Sequence, residues 1–119
     1  MKLLLAAILM FSVPFYQEIA VKAGREASVA GLKIKFEAVT NDSRCPQGVD
    51  CIWSGNAEVV LKVTAGGKSA TVKLNTNLNP KEVDCHGYKI KLGRLSPYPK
   101  QDQKIEPDQY EALLVISKK

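Results

Sequence analysis

Apolar and polar residues alternate with a period of two through most of the chain after residue 17, and that rhythm predicts strands. Ile19 and Val21 lead into Gly24. Leu32, Ile34, Phe36 and Ala38 then fall on one face of a strand, with Lys33, Lys35 and Glu37 on the other. The same pattern returns at Ala57, Val59, Leu61 and Val63 and again at Ala70, Val72 and Leu74. Gly66-Gly67 separates those two runs, a two-residue turn that predicts a hairpin. Tyr88, Ile90 and Leu92 make a further strand, and Ser28 to Ala30 a short edge. Tyr110 to Ile116 is apolar on both faces, as a central strand is. No run of about ten residues carries a 3.6-residue stripe, so the chain is all-β.

Two connections break the rhythm. One is Asn75 to Gly87, with Pro80; the other is Ser96 to Gln109, with Pro97, Pro99 and Pro107, where missing amide donors argue for a crossover instead of a strand. Six or seven strands with one clear hairpin and two long connections suit a Greek-key β-sandwich of immunoglobulin-like type, with a partly open β-barrel as the alternative.

The opening residues, MKLLLAAILMFSVPFY, place Lys2 before an apolar run through Phe11. That run is short for a bilayer span, which takes about 20 apolar residues, but fits the core of a signal peptide. The chain is therefore read as a signal peptide over residues 1–23, its end between 16 and 23, followed by one β-sandwich domain over residues 24–119. Val21-Lys22-Ala23 offers small residues for processing, yet Gln17 to Lys22 alternates like a first strand. No cysteine follows the apolar run, so a lipid-anchored N-terminus is not expected. The expected location is periplasmic or secreted.

With 119 residues, 45% hydrophobic and 24% charged, the chain is of ordinary globular composition and has room for one domain. Its net charge of +5 comes from seventeen basic against twelve acidic residues, and fourteen of the basic ones are lysine. Nucleic-acid readers rely on Arg and aromatic stacking, so no nucleic-acid partner is expected. Lys33, Lys35, Lys62, Lys73, Lys89 and Lys91 alternate with apolar positions, as on the wet face of a sheet, leaving at most weak contact with anionic surfaces.

Chemistry concentrates in residues 41–63. Pro46 and Gly48 bend the chain between Cys45 and Cys51, close enough for a disulfide in an exported protein. An extended stretch over residues 51–53 would put Trp53 on the same face as Cys51, covering the bridge, before Ser54-Gly55 turns into the next strand. Asp42, Ser43 and Asp50 are turn-formers, and one of the aspartates is expected to hold Arg44. Redox work would favour closer cysteines. A zinc or copper site would draw on the three cysteines and His86, a weaker use of Cys45 and Cys51 than a staple.

DSRCPQGVDCIWSGNAEV, residues 42–59, resembles the signature DSRCP-x-x-x-x-C-x-W-x-G-x-A of an uncharacterised family of small exported bacterial proteins. KIKFEAV before it, and HGYKIKLGRLSPYPK and PDQYEALLVI after it, extend the resemblance over most of the chain past residue 30. The resemblance implies a periplasmic or lipoprotein-type β domain in which Asp42, Arg44, Pro46, Trp53 and Gly55 form a structural motif. It implies no activity.

Cys85 is left over from pairing and adjoins His86. A buried thiol is the first expectation and a Cys85-linked dimer the second. A thiol- or metal-dependent site at Cys85 and His86 is the enzymatic rival, although neighbours on a strand face opposite ways. Phosphate-binding glycine loops, G-x-S-x-G and H-E-x-x-H are absent from the sequence. Asp102 with Glu106, and Asp108 with Glu111, read as solvated loop charges, and Tyr110 as a tyrosine corner bonding to nearby backbone. The sequence thus points to a noncatalytic, cofactor-free domain that binds a cell-envelope or extracellular partner through loops 41–55 and 96–109, where Tyr98 offers a rigid aromatic contact between two prolines. A peptidase inhibitor is a further alternative.

Overall fold

The computed structural model describes residues 16–119. Residues 1–15 of the signal peptide read over residues 1–23 lie outside them. Among the described residues eight strands form two antiparallel four-stranded sheets packed as a sandwich, with no closed barrel. They are β1 (Tyr16–Lys22), β2 (Glu26–Val29), β3 (Leu32–Thr40), β4 (Glu58–Ala65), β5 (Lys68–Asn75), β6 (Glu82–Cys85), β7 (Tyr88–Ser96) and β8 (Glu111–Lys118). One sheet has the order β1-β8-β7-β6 and the other β2-β3-β4-β5. The chain therefore runs up and down around the sandwich, changing sheets between β1 and β2 and between β5 and β6, with its first and last strands paired. That sequential order is simpler than the interleaved strand order of an immunoglobulin domain.

The two ends of the sandwich differ. Three tight hairpins lie at one end, each with two central residues at positive φ: Ala30-Gly31, Gly66-Gly67 and His86-Gly87. Their flanking pairs, Val29 with Leu32, Ala65 with Lys68 and Cys85 with Tyr88, close the ladders directly. These are the type I′ turns whose twist matches paired strands. Tyr16, opposite Ser117, lies at the same end. The long connections 41–57, 76–81 and 97–110, with the short turn at Ala23–Arg25, gather at the other end.

The core follows the alternation. Phe36, Ile34, Leu61, Val63, Leu74, Ile90, Leu114 and Ile116 are fully buried between the sheets. The alternation at Gln17 to Lys22 is realised as β1, which pairs with β8 along its whole length and buries Val21. β8 is central in its sheet, between β1 and β7, and its outward residues Leu113 and Val115 are half-buried, which accounts for a strand apolar on both faces.

Two bulges reset the phase. On β3 the register shifts between Phe36 and Ala38, so Glu37 is the extra residue and Ala38 is exposed instead of continuing the buried face of Leu32, Ile34 and Phe36. On β7 the shift lies between Leu92 and Arg94, around Gly93, and Leu95 takes the next buried position. A bulge sets two residues of one strand opposite one of its neighbour, and every side chain beyond it changes sides.

The bulge on β3 makes two residues of the same sequence parity behave differently. Phe36→Ala is expected to lower stability by about 3 to 5 kcal/mol. Ala38→Ser is expected to change it by no more than about 0.5 kcal/mol. Urea unfolding of both variants checks the pair, and a large loss for Ala38→Ser would place that residue in the core.

Candidate functional site

The long-loop end is organised by a buried guanidinium. Arg44 is only 5% exposed, and its nearest charge is Asp42, two residues away. Arg44 Nε donates to Asp42 Oδ1 at 2.9 Å and Nη2 to Asp42 Oδ2 at 2.8 Å, a two-pronged pair. The same fork reaches across the sandwich: Nη1 donates to the Leu95 carbonyl at 2.8 Å and Nη2 to the Pro97 carbonyl at 3.0 Å. Tyr98 lays its ring over the guanidinium, with the central carbon 5.0 Å from the ring centroid. Of the two expected aspartates, it is Asp42 that holds Arg44; Asp50 is exposed at the loop tip.

Tyr110 completes the cluster, its hydroxyl donating to Asp42 Oδ2 at 2.8 Å. The tyrosine-corner expectation is corrected here: the partner is a carboxylate 68 residues away in sequence, not neighbouring backbone. Burial, then the hydrogen bond to Asp42 and its negative charge, push the Tyr110 phenol up to about 12. Burial alone would raise the Asp42 carboxyl. The Arg44 and Tyr110 side chains, the Arg44 amide and the Arg44 charge outweigh it and leave Asp42 below its ordinary value of 3.8.

A second buried knot sits beside the first. Asn56 Nδ2 donates to Asn75 Oδ1 at 2.9 Å, while Asn56 Oδ1 accepts the amides of Asn77 and Leu78, each at 2.9 Å. Asn75 in turn donates from its amide and side chain to the Pro80 carbonyl. Asn56 and Asn75, themselves buried, thus take up backbone groups of the 76–81 connection. Neither asparagine was singled out in the sequence, where Asn reads as a turn residue. The available signal was Asn56 lying directly before an apolar strand face.

These knots fix the cysteine loop. The Ser43 amide donates to the Asn56 carbonyl at 2.7 Å and the Cys45 amide to the Ser54 carbonyl at 3.0 Å, so the loop's two limbs run side by side. Cys45 and Cys51 are joined as a disulfide with Cα atoms 6.0 Å apart. Beyond Pro46, the Gln47 amide donates to the Pro99 carbonyl at 2.9 Å, lacing this loop to the proline-rich one. Gly55 is where the limbs touch: a Cβ there would overlap the Ser43 carbonyl oxygen and come within 2.8 Å of Arg44 Cα. Its φ of +76° also suits only glycine well.

At the tip the apolar side chains turn outward. Residues 51–53 bend instead of running extended, and Trp53 is 52% exposed, Ile52 fully so at 102% and Val49 at 37%. Tyr98 is 44% exposed on the adjoining loop, resting on Arg44. Asp102, Glu106, Asp108 and Glu111 do not pair among themselves. Glu106 and Gln109 instead close the short 3-10 turn Pro107–Gln109, the Glu106 amide donating to Gln109 Oε1.

Cys85 and His86 are placed apart from this end. Cys85 closes β6 with its side chain in the core cluster, and burial raises its thiol, which opposes nucleophilic use. His86 occupies the first central position of the tight hairpin, its Nε2 3.3 Å from the Val63 carbonyl oxygen. Among the described residues no three His, Cys, Asp or Glu side chains gather as metal ligands. A bridge between two copies through Cys85 requires the β6 edge to open. Lys33, Lys35, Lys62 and Lys73 stand on the outer face of β3, β4 and β5, with Lys35 directly opposite Lys62. Lys89 on β7 instead meets Glu82 at 3.5 Å.

Comparison with protein-family models, with curated proteins and with solved structures returns no match.

Removing the Arg44 side chain leaves the half-buried Asp42 carboxylate with only the Tyr110 hydroxyl and the backbone amide of residue 44. Arg44→Ala is expected to cost about 3 kcal/mol or more in urea unfolding. Because the folded carboxyl of Asp42 titrates below 3.8, its contribution is complete above that value and is lost as pH falls through the folded pKa. Asp42→Asn, already destabilised at neutral pH, therefore loses less further stability than the native protein on acidification below about pH 4.

Glycine contrasts test the touching limbs. Gly55→Ala is expected to cost about 3 kcal/mol or more, combining overlap with a left-handed backbone. Gly67→Ala, at a turn with open space around it, costs only about 1 to 2 kcal/mol. Equal losses in urea unfolding would contradict the tight approach at Gly55.

Proposed function

We propose that the protein is an exported, noncatalytic β-sandwich that holds a cell-envelope or extracellular partner on its disulfide-stapled loop. The observation that carries this reading is the exposure of Val49, Ile52 and Trp53 within five residues of a loop otherwise fixed by a disulfide, by paired limbs and by the proline-rich neighbour. Exposed apolar side chains grouped on a rigid frame suit recognition, since little conformational freedom is lost on binding, and tryptophan is enriched among the residues that anchor interfaces. Tyr98, on the adjoining loop, extends the same surface with a second aromatic.

Export is supported by the apolar run behind Lys2 and by the disulfide, which persists in oxidising compartments. Among the described residues no helix is long and apolar enough to cross a membrane. The resemblance to small exported bacterial proteins agrees with this location. A noncatalytic role is supported by how the ionisable groups at the loop end are used: Asp42, Arg44 and Tyr110 satisfy one another.

The test is retention from envelope extract on the immobilised, oxidised protein, compared with an Ile52→Ser/Trp53→Ser variant. The variant is expected to keep the native urea midpoint, because both side chains are exposed, and to lose at least about tenfold in affinity for the retained component. Equal retention by native and variant proteins overturns the reading.

A further inference from the structure

An open cleft of about 470 Å³ lies at the long-loop end, beside the Arg44 cluster and apart from the exposed tip of the cysteine loop. Its size is that of sites for small organic molecules. It is lined by the turn at Ala23-Gly24, by a wall of β3 at and just past its bulge, Glu37 to Val39, by the segment containing Lys104, Ile105 and Asp108, and by Tyr110 and Asp42. The bulge creates this wall. Without the extra residue at Glu37, Val39 would stand on the outer face, and bulges recur where a strand must re-aim side chains beside a site.

The charges lining the cleft run against those of the whole chain. The protein carries +5, yet three carboxylates and one ammonium border this cavity. Asp42 is matched by Arg44, which lies behind it with four hydrogen bonds to Asp42, Leu95 and Pro97. That leaves Glu37 and Asp108 against Lys104, and none of these three takes part in an ion pair among the described residues. The balance is one negative charge over a surface made mostly by Ala23, Ala38, Val39, Ile105 and the Tyr110 ring. Glu37, Lys104 and Asp108 are all exposed, so this charge stands at the open rim of the cleft, above its apolar lining.

We propose that this cleft binds a small organic monocation, a protonated amine carried on an apolar body. The apolar body rests on Val39, Ile105 and Tyr110, and the ammonium group meets Glu37 and Asp108. This site is independent of the partner-binding loop: it shares none of Val49, Ile52 or Trp53, so either reading can fail without the other.

The test uses three probes of one shape in amide-resolved NMR titrations of the oxidised protein: 2-phenylethylammonium, neutral 2-phenylethanol and anionic 3-phenylpropionate. The ammonium probe is expected to give saturable shifts centred on Val39, Ile105 and Tyr110 with a dissociation constant of about 1 mM or lower, and to bind about tenfold more tightly than either other probe. Glu37→Gln/Asp108→Asn, two exposed positions whose exchange leaves the fold intact, is expected to abolish the preference for the cation while 2-phenylethanol binds as before. Equal affinity for all three probes, shifts centred elsewhere, absence of saturable shifts, or a double variant that keeps the cation preference overturns the proposal.

Discussion

The long-loop end of this sandwich depends on one guanidinium kept out of water. A charge in that position is stable only with a matched partner and with its remaining donors satisfied, and Arg44 finds these in Asp42, Leu95 and Pro97. Because Leu95 and Pro97 lie more than fifty residues further along the chain, one side chain ties the cysteine loop of one sheet to the exit of β7 in the other. Tyr110 joins from the entrance to β8. Two connections that hydrophobic burial alone would leave loosely placed, 41–57 and both ends of 97–110, are thereby fixed in relation to one another. The Asn56 knot does the same for the third, 76–81, with neutral groups.

Much of this architecture is legible in the sequence. Alternation located β3, β4, β5, β7 and β8, the two-glycine turn located one hairpin, and the apolar double face of β8 marked it as central. What alternation cannot carry is a change of phase. Nothing in KIKFEAV marks Glu37 as the extra residue, so Ala38 reads as core although it faces the cleft. The hairpins at Ala30-Gly31 and His86-Gly87 were hidden because only their second residue is glycine, the first adopting a positive φ without the usual signal.

The site was legible in its local parts and not in its distant ones. The pairing of Cys45 with Cys51 and of Arg44 with Asp42 follows from short separations, where chain geometry restricts the options. Tyr110 with Asp42, Arg44 with Leu95 and Gln47 with Pro99 are set by how the sheets stack, which no sequence period encodes. Trp53 is legible only in part: an aromatic beside a disulfide reads as its cover on an extended stretch, but the chain bends there and about half of the side chain stays exposed.

The pairing of first and last strands bears on how the chain finds this structure. Five of the six ladders join strands that follow one another in sequence, so each forms after closing a modest stretch of chain. The sixth, between β1 and β8, must bring together segments separated by most of the molecule, and the entropy of that closure is recovered only once the others hold β8 in place. β1 is accordingly a clasp, the late-arriving and first-departing member of the sheet, and a separate strand of similar pattern would find its vacated edge open to it.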